Sequence, residues 1–308
     1  MFLISLPIEL FCHSDPLLVK YKGEFFFPLL KTYKATDFGG YALGSPDYKA
    51  LQSEIESHGF MIVPVIWWGS NETNMKPDRY PAPPSFDNWL GTDDRGRDVF
   101  VRLIYGFRLS MILALFCLFV ASFIGIFWGG AQGYFGGKID LIAQRFVETW
   151  QSLPALFVML LISHLFEPSI EVLLVCLAAF LWIAPQYYIR GECLKVKGAT
   201  FVQVARSLGA SEWRIFTCHV IPNALTPLIT LAPFIMNQSI LFLAFLDYLG
   251  LGVQAPTASL GELLRQGKEN MLYAWWLCFY PLLTVTLTLL LLNFVGDGVR
   301  QAFDPKAS

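Results

Sequence analysis

Charge is scarce in this chain. Lys, Arg, Asp and Glu make up 15% of 308 residues and the net charge is −2, against about 25% charged residues in an ordinary soluble domain. No broad basic field exists to hold a nucleic acid, so that class of partner is excluded. Paired cysteines are also missing. Cys12, Cys117, Cys176, Cys193, Cys218 and Cys278 are scattered, with none between residues 13 and 116 and no C-x-x-C, so there is no disulfide framework. His13, His58, His164 and His219 never fall at helical i, i+4 spacing, which leaves no local metal pair, and no metal or other cofactor is expected. H-E-x-x-H and G-x-S-x-G are absent, so no catalytic residue is assigned.

A nucleotide cradle is nearly present, and the part that is missing excludes it. In GTDDRGRDVF, residues 91–100, Gly91 and Gly96 with a following basic residue copy most of G-x-x-x-x-G-K-[ST]. Arg97 and Asp98 stand where the phosphate-reaching Lys and the magnesium-binding hydroxyl belong, and Asp93, Asp94 and Asp98 would repel a triphosphate. The stretch is expected to open a helix instead. Asp98 would favour the positive end of its dipole, and Arg102 and Arg108 would snorkel to lipid headgroups.

What is abundant is apolar surface: 55% hydrophobic and 16% aromatic residues. A spanning helix needs about 20 mostly apolar residues, and five stretches qualify, near 107–133, 141–166, 169–189, 223–249 and 274–295. The opening MFLISLPIELFC is too short to span and lacks the basic start of a secretory signal. It is expected to be the outer half of a first helix whose inner half is missing. Residues 13–95 form a long polar stretch with Pro77, Pro81, Pro83 and Pro84 and the aromatics Trp67, Trp68 and Trp89. Such length points to a small folded or partner-facing element. Between 190 and 214, Arg190, Lys195, Lys197, Arg206 and Arg214 face only Glu192 and Glu212. The positive-inside bias places this loop in the cytoplasm. The 13–95 and 250–273 loops then lie outside and the C-terminus inside.

Two constellations follow. GIFWGGAQGYFGG places Gly125, Gly129, Gly133 and Gly137 four apart, on one helix face. Small residues so spaced let two backbones approach, here expected within the chain, the alternative being a second membrane subunit. In the basic loop, Thr200 and Gln203 have capping-box spacing, Phe201, Val202, Ala205 and Leu208 form an apolar stripe, and Gly209 stands at the helix C-terminus. Ser211 can cap a second short helix bearing Trp213, Phe216 and Val220, and Pro222 is expected to open the next span. Lipid or a partner protein can cover the apolar face of this pair.

FVQVARSLGASEWRIFTCHVIP resembles the EAA loop of ABC importer permeases, with Ala205, Gly209 and Pro222 at the family positions. Gln203 stands for the usual Glu, Val204 for the first Ala, His219 for Ile and Ile221 for Leu, which removes any ion pair made by that Glu. GTDDRGRDVFVRLIYGFRLS, GYFGGKIDLIAQRF, LDYLGLGVQAPTASLGELL and NFVGDGVRQAFDP, in that order, look like the second permease of the dipeptide and oligopeptide importers. DPLLVKYKGEFFFPLLKTYKATDFGG looks more specifically like the Yej-type subunit of microcin C and peptide importers.

The resemblance implies an all-α ABC type I importer permease with five full transmembrane helices and a truncated first one. Its regions would be residues 1–12 as that partial helix, a periplasmic insertion at 13–95, a permease core at 96–295 with its coupling loop at 190–222, and a cytoplasmic tail at 296–308. It would sit in the bacterial inner membrane as half of a translocation pathway for peptides or peptide-like, microcin C-like compounds. Its partners would be a second permease, two ATPase subunits that hydrolyse the ATP, and a periplasmic substrate-binding protein. The chain itself would not be an enzyme. Gln203, Val204, Ala205, Ser207, Gly209, Ala210 and Pro222 would contribute to the ATPase-coupling loop. Asn237, Gln238 and Ser239 have two readings, a polar path or helix-packing hydrogen bonds, with packing favoured. The alternative function is an ion- or proton-coupled secondary transporter, which usually has ionisable groups near the midplane. Here Arg145, Glu148, His164, Glu167 and Asp247 lie toward span ends, and no catalytic cluster supports a membrane enzyme.

Overall fold

A computed structural model describes residues 2–38, 46–166 and 169–303. In chain order the elements are α1 (Phe2–Ser5), β1 (Leu18–Tyr21), β2 (Glu24–Phe26), α2 (Gln52–His58), β3 (Gly59–Ile62), α3 (Val99–Phe135), α4 (Gly137–Gln151), α5 (Ala155–Leu165), α6 (Ile170–Leu181) and α7 (Ile183–Val196). They continue as α8 (Thr200–Ser207), α9 (Glu212–Ile215), a π-turn (Phe216–Val220), α10 (Ile221–Ala224), α11 (Thr226–Tyr248), α12 (Leu260–Glu269) and α13 (Trp276–Phe303). The chain forms two compact units, Met1–Leu109 with Ala255–Pro281, and Ser110–Gln254 with Leu282–Ser308.

The first unit holds the long polar stretch, whose described residues, 13–38 and 46–95, include a small sheet. Lys22 and Gly23 both take positive φ, 50° and 88°, the turn that matches strand twist and closes a two-residue hairpin. β1 pairs antiparallel with β2 and with β3, in the order β2-β1-β3. Alternation along β1 buries Val19 and Tyr21 with Phe38, Tyr48 and Ile55, a small core outside the helical pattern. Residues 2–12 do not run as one helix. α1 ends at Ser5, a 3-10 turn follows Pro7, and Ile8 and Cys12 pack with Ile66 and Val101.

GTDDRGRDVF is a self-contained turn. Asp93 Oδ1 accepts the backbone N–H groups of Arg95 and Arg97, each at 2.9 Å. Arg97 Nε donates to Asp93 Oδ2 at 2.7 Å, and the Gly96 N–H bonds the Asp93 carbonyl at 3.1 Å. The amides that a P-loop would offer to phosphate are therefore occupied. Asp98 then caps α3, accepting the Val101 N–H at 2.9 Å on Oδ1 and the Asn88 amide at 2.7 Å on Oδ2. Burial pushes the Asp98 carboxyl above its usual value, partly offset by those hydrogen bonds.

Arg102 corrects the snorkelling expectation. It is fully buried and donates to the carbonyls of Ser70 (2.9 Å), Pro256 (3.2 Å) and Thr257 (3.3 Å). The backbone between Ala255 and α12 supplies acceptors that lipid would otherwise have to supply. Arg108 pairs with Glu9 at 2.7 Å.

Among the described residues, four helices are long and apolar enough to cross a membrane: Val99–Phe135, Ile170–Val196 formed by α6 and α7, Thr226–Tyr248 and Trp276–Ala302. The expected stretch 141–166 is different. α4 and α5 meet at 73°, because Pro154 disfavours helical backbone at Leu153 and its ring lacks an N–H. The stretch expected from 223 opens at Thr226, with Pro227 in its first turn. Pro222 belongs instead to the one-turn α10, and a break in the hydrogen-bond ladder at Leu225, whose own φ and ψ stay helical, separates the two.

In the second unit α3 lies against α7. A Cβ on Gly125 would stand 2.5 Å from that of Pro185, one on Gly133 would stand 2.5 Å from the Arg190 carbonyl, and one on Gly129 would collide with the Gln186 carbonyl. The backbones are this close only because those side chains are absent. Gly137 does not share this face. α3 ends at Phe135, Gly136 and Gly137 take φ of 66° and 58°, and a Cβ on Gly137 would meet nothing within 4 Å. Beside the glycine contact, the buried amide of Gln186 donates to that of Gln132. Asp140 of α4 takes a bidentate pair from Arg190 of α7, at 2.6 and 2.7 Å.

Candidate functional site

The element from Gly198 to Pro222 is built from two short helices around a buried seam. Val202, Ile215, Phe216, Val220 and Ala224 are fully or almost fully buried together with Tyr134 of α3 and Ile189 and Cys193 of α7. The apolar stripe divides. Val202 turns inward, while Phe201, Val204 and Leu208, at i, i+3 and i+7, form one outward face, with Leu208 81% exposed. Trp213 of α9 is also outward. The stripe expected from sequence included Phe201 and Leu208 but missed Val204 and did not separate the two faces.

Local signals explain most of the turn. α8 ends in a Schellman motif. Gly209 has φ 83°, its N–H bonds the Arg206 carbonyl at 3.0 Å, and the Ala210 N–H reaches the Ala205 carbonyl at 3.1 Å. Ser211 Oγ accepts the Arg214 N–H and caps α9. The capping box is not formed. Ala199 is the N-cap of α8, its carbonyl taking the Val202 and Gln203 N–H groups, so Thr200 is already inside the helix. The Gln203 amide instead donates to the Gly198 carbonyl at 3.1 Å. Gln203, Ser207 and Pro222 are exposed.

A polar cluster missed at the sequence level closes the seam. Glu212 takes Arg206 Nε on Oε1 at 2.7 Å and Nη2 on Oε2 at 3.1 Å, and the Tyr134 hydroxyl donates to Oε2. The Arg206 hydrogen bonds, followed by that of Tyr134, hold the Glu212 carboxyl down at about 2. Arg206 and Glu212 are six apart across a turn and Tyr134 lies 78 residues from Glu212, so no helical period announces the trio.

Asn237, Gln238 and Ser239 diverge, as successive residues about 100° apart on a helix must. Asn237 Nδ2 donates to Asn293 Oδ1 of α13 at 2.8 Å, and Ser239 Oγ to the Ile235 carbonyl at 2.8 Å. Gln238 lines a cleft of about 370 Å³ with Gln151, Tyr187, Tyr188 and Phe242. His164 is exposed, its Nδ1 2.8 Å from the Leu160 carbonyl, and Glu167 lies outside the described residues. Among the described residues no group of His, Cys, Asp and Glu could hold a metal ion.

Residues 121–308 match the family described as binding-protein-dependent transport system inner membrane component. The chain is 41% identical, over 99% of its length and 90% of the relative, to the inner membrane ABC transporter permease protein YejE of Escherichia coli. It is 38% identical, over 99% of its length and 87% of the relative, to the peptidoglycan transport system permease protein YejE of Agrobacterium fabrum. Over 73% of its length and 70% of the relative, it is 36% identical to the dipeptide transport system permease protein DppC of Bacillus subtilis. The fold resembles that of a chain of the MetNI methionine ABC transporter in an inward-facing conformation, with a TM-score of 0.54 and 17% identity over 66% of this chain and 97% of that one.

Proposed function

The chain belongs to the family of inner membrane components of binding-protein-dependent transport systems, and from that premise we propose that it forms half of the pathway of an ABC importer for peptides or peptide-like compounds. Relatives named for dipeptide and for peptidoglycan transport support that substrate class, because both cargoes contain peptide bonds. The chain pairs with a second permease in the bacterial inner membrane, receives cargo from a periplasmic substrate-binding protein, and leaves ATP hydrolysis to two partner ATPases. The 190–222 region faces the cytoplasm and the 13–95 region the opposite side.

The observation that carries this reading is the outward face of Phe201, Val204, Leu208 and Trp213, mounted on a seam shared with α3 and α7. An exposed apolar face on a rigid helical base suits a protein groove. Gln203, Ser207 and Gly209 border that face, and Asn237 and Ser239 act as packing residues while Gln238 faces the pathway. Closure of the ATPases would carry α8 and α9 with it.

Cysteine cross-linking tests the docking. With Cys218 replaced, since it is exposed while Cys193 is buried, Gln203→Cys is expected to link to the partner ATPase subunits, to a degree that changes with trapped ATP. Labelling of the same cysteine by lipid-phase probes, with no ATPase link in either state, would sink the proposal.

A further inference from the structure

The trio at the base of the coupling element is more than a surface ion pair. Tyr134 lies in the last turn of α3, 6% exposed, with its ring centroid 5.4 Å from Phe216. Phe216 in turn lies 5.6 Å from both Phe135 and Trp213. A Cβ on Gly130, one turn earlier in α3, would come 3.3 Å from the Phe216 ring and 2.7 Å from Ile221. The polar contact is laid over this aromatic stack. One carboxylate, that of Glu212, holds the last turn of α8 through Arg206, the first turn of α9 through its own backbone, and the end of α3 through the Tyr134 hydroxyl.

The chain path toward α11 has the opposite character. After α9 it passes through the π-turn Phe216–Val220 and the one-turn α10, and at Leu225, whose φ and ψ of −78° and −19° remain helical, the hydrogen-bond ladder breaks before α11 begins. Isolated π-turns interrupt the regular i→i−4 ladder and recur at functional sites. The element is thus tied by side chains to α3 and joined to α11 through an interrupted hydrogen-bond ladder.

We propose that Glu212 is a positioning residue that, with Tyr134 and Arg206, forms the joint through which movement of α8 and α9 reaches α3. An exposed Arg–Glu pair alone is worth little, and what gives this one a role is the hydroxyl of the buried Tyr134, which adds α3 as a third partner. The proposal rests on the docking of α8 and α9 to an ATPase stated above, and it assigns the direction in which that docking acts.

The test uses the assembled importer in proteoliposomes, with its ATPases and partner permease, and its substrate-binding protein as the probe. Tyr134→Phe keeps the ring stack and removes only the hydroxyl, and Glu212→Gln removes the charge. Stimulation of ATP hydrolysis by the binding protein is expected to fall about fivefold or more in each, the lower end of an allosteric coupling, while the Gln203→Cys link to the ATPase persists. Unchanged stimulation with the link intact would overturn the joint and leave the docking standing. Loss of the link only in these variants would show a structural support and overturn it equally. No link in the parent chain would remove the docking itself.

Discussion

Arg102 Nε lies 3.4 Å from Asp93 Oδ2, and neither side chain has exposed surface. Arg97 reaches the same carboxylate oxygen at 2.6 Å, so two guanidinium groups share one buried carboxylate. Nη1 and Nη2 of Arg102 donate to three backbone carbonyls, two of them more than 150 residues away in sequence. The first turns of α3 and the chain entering α12 are thereby held by one side chain.

Arg102→Met is expected to cost about 3 kcal/mol, the low end for breaking a buried ion pair, because Arg97 still partners Asp93. Arg102→Lys should recover less than half of that, since an ammonium group lacks the planar fork that spans several acceptors. Thermal unfolding in detergent measures both. A melting temperature within a degree of the parent for Arg102→Met would contradict the clamp.

Asp98 separates cap from charge. Asp98→Ala should cost about 1–2 kcal/mol through loss of the α3 cap and an unpaired Asn88 amide. Asp98→Asn keeps a capping oxygen but turns an amide toward the Asn88 amide, so at pH 7 it should recover only the cap and still cost about 1 kcal/mol. Burial raises the folded-state value of this carboxyl, so its penalty is absent below the unfolded value of about 3.9 and grows as pH rises through the raised one. Denaturation at pH 4 and pH 7 should show that slope in the parent and its loss in Asp98→Asn. An identical slope in both would assign it elsewhere.

The glycines of α3 should not respond alike. Gly129→Ala places a Cβ against the Gln186 carbonyl and is expected to cost about 1–3 kcal/mol by forcing α3 from α7. Gly137 has open space but a positive φ, so Gly137→Ala carries only backbone strain, roughly 1 kcal/mol, and Gly137→Asn less. Tolerance of Gly129→Ala with unchanged stability would mean that the close approach is absent.

Asp140 and Arg190 provide a pair for a double-mutant cycle. The fork is bidentate at 2.6 and 2.7 Å and both side chains are about three-quarters or more buried. Asp140→Asn and Arg190→Gln should each destabilise, with a coupling energy of about 1–2 kcal/mol between them. Additive losses would show that the two act independently.

The amino-acid order by itself determined four of the five apolar runs that can cross a membrane, because run length against bilayer thickness is a one-dimensional quantity, whereas the 73° bend within 141–166 was not legible from length. Val99–Phe135, Thr226–Tyr248 and Trp276–Phe303 overlie the apolar stretches read from composition. Short-range punctuation was legible for the same reason. Asp98, Gly209 and Ser211 act on backbone groups within a few residues of themselves. Thr200 shows the limit of that legibility, since a start shifted to Ala199 leaves a correctly spaced pair without its bonds. Only tertiary structure decided that Arg102 turns inward, that Gly125, Gly129 and Gly133 meet α7 while Gly137 does not, and that Tyr134 meets Glu212. Each depends on groups brought together from distant parts of the chain, where no periodicity records the pairing and only the geometry of packed helices selects it.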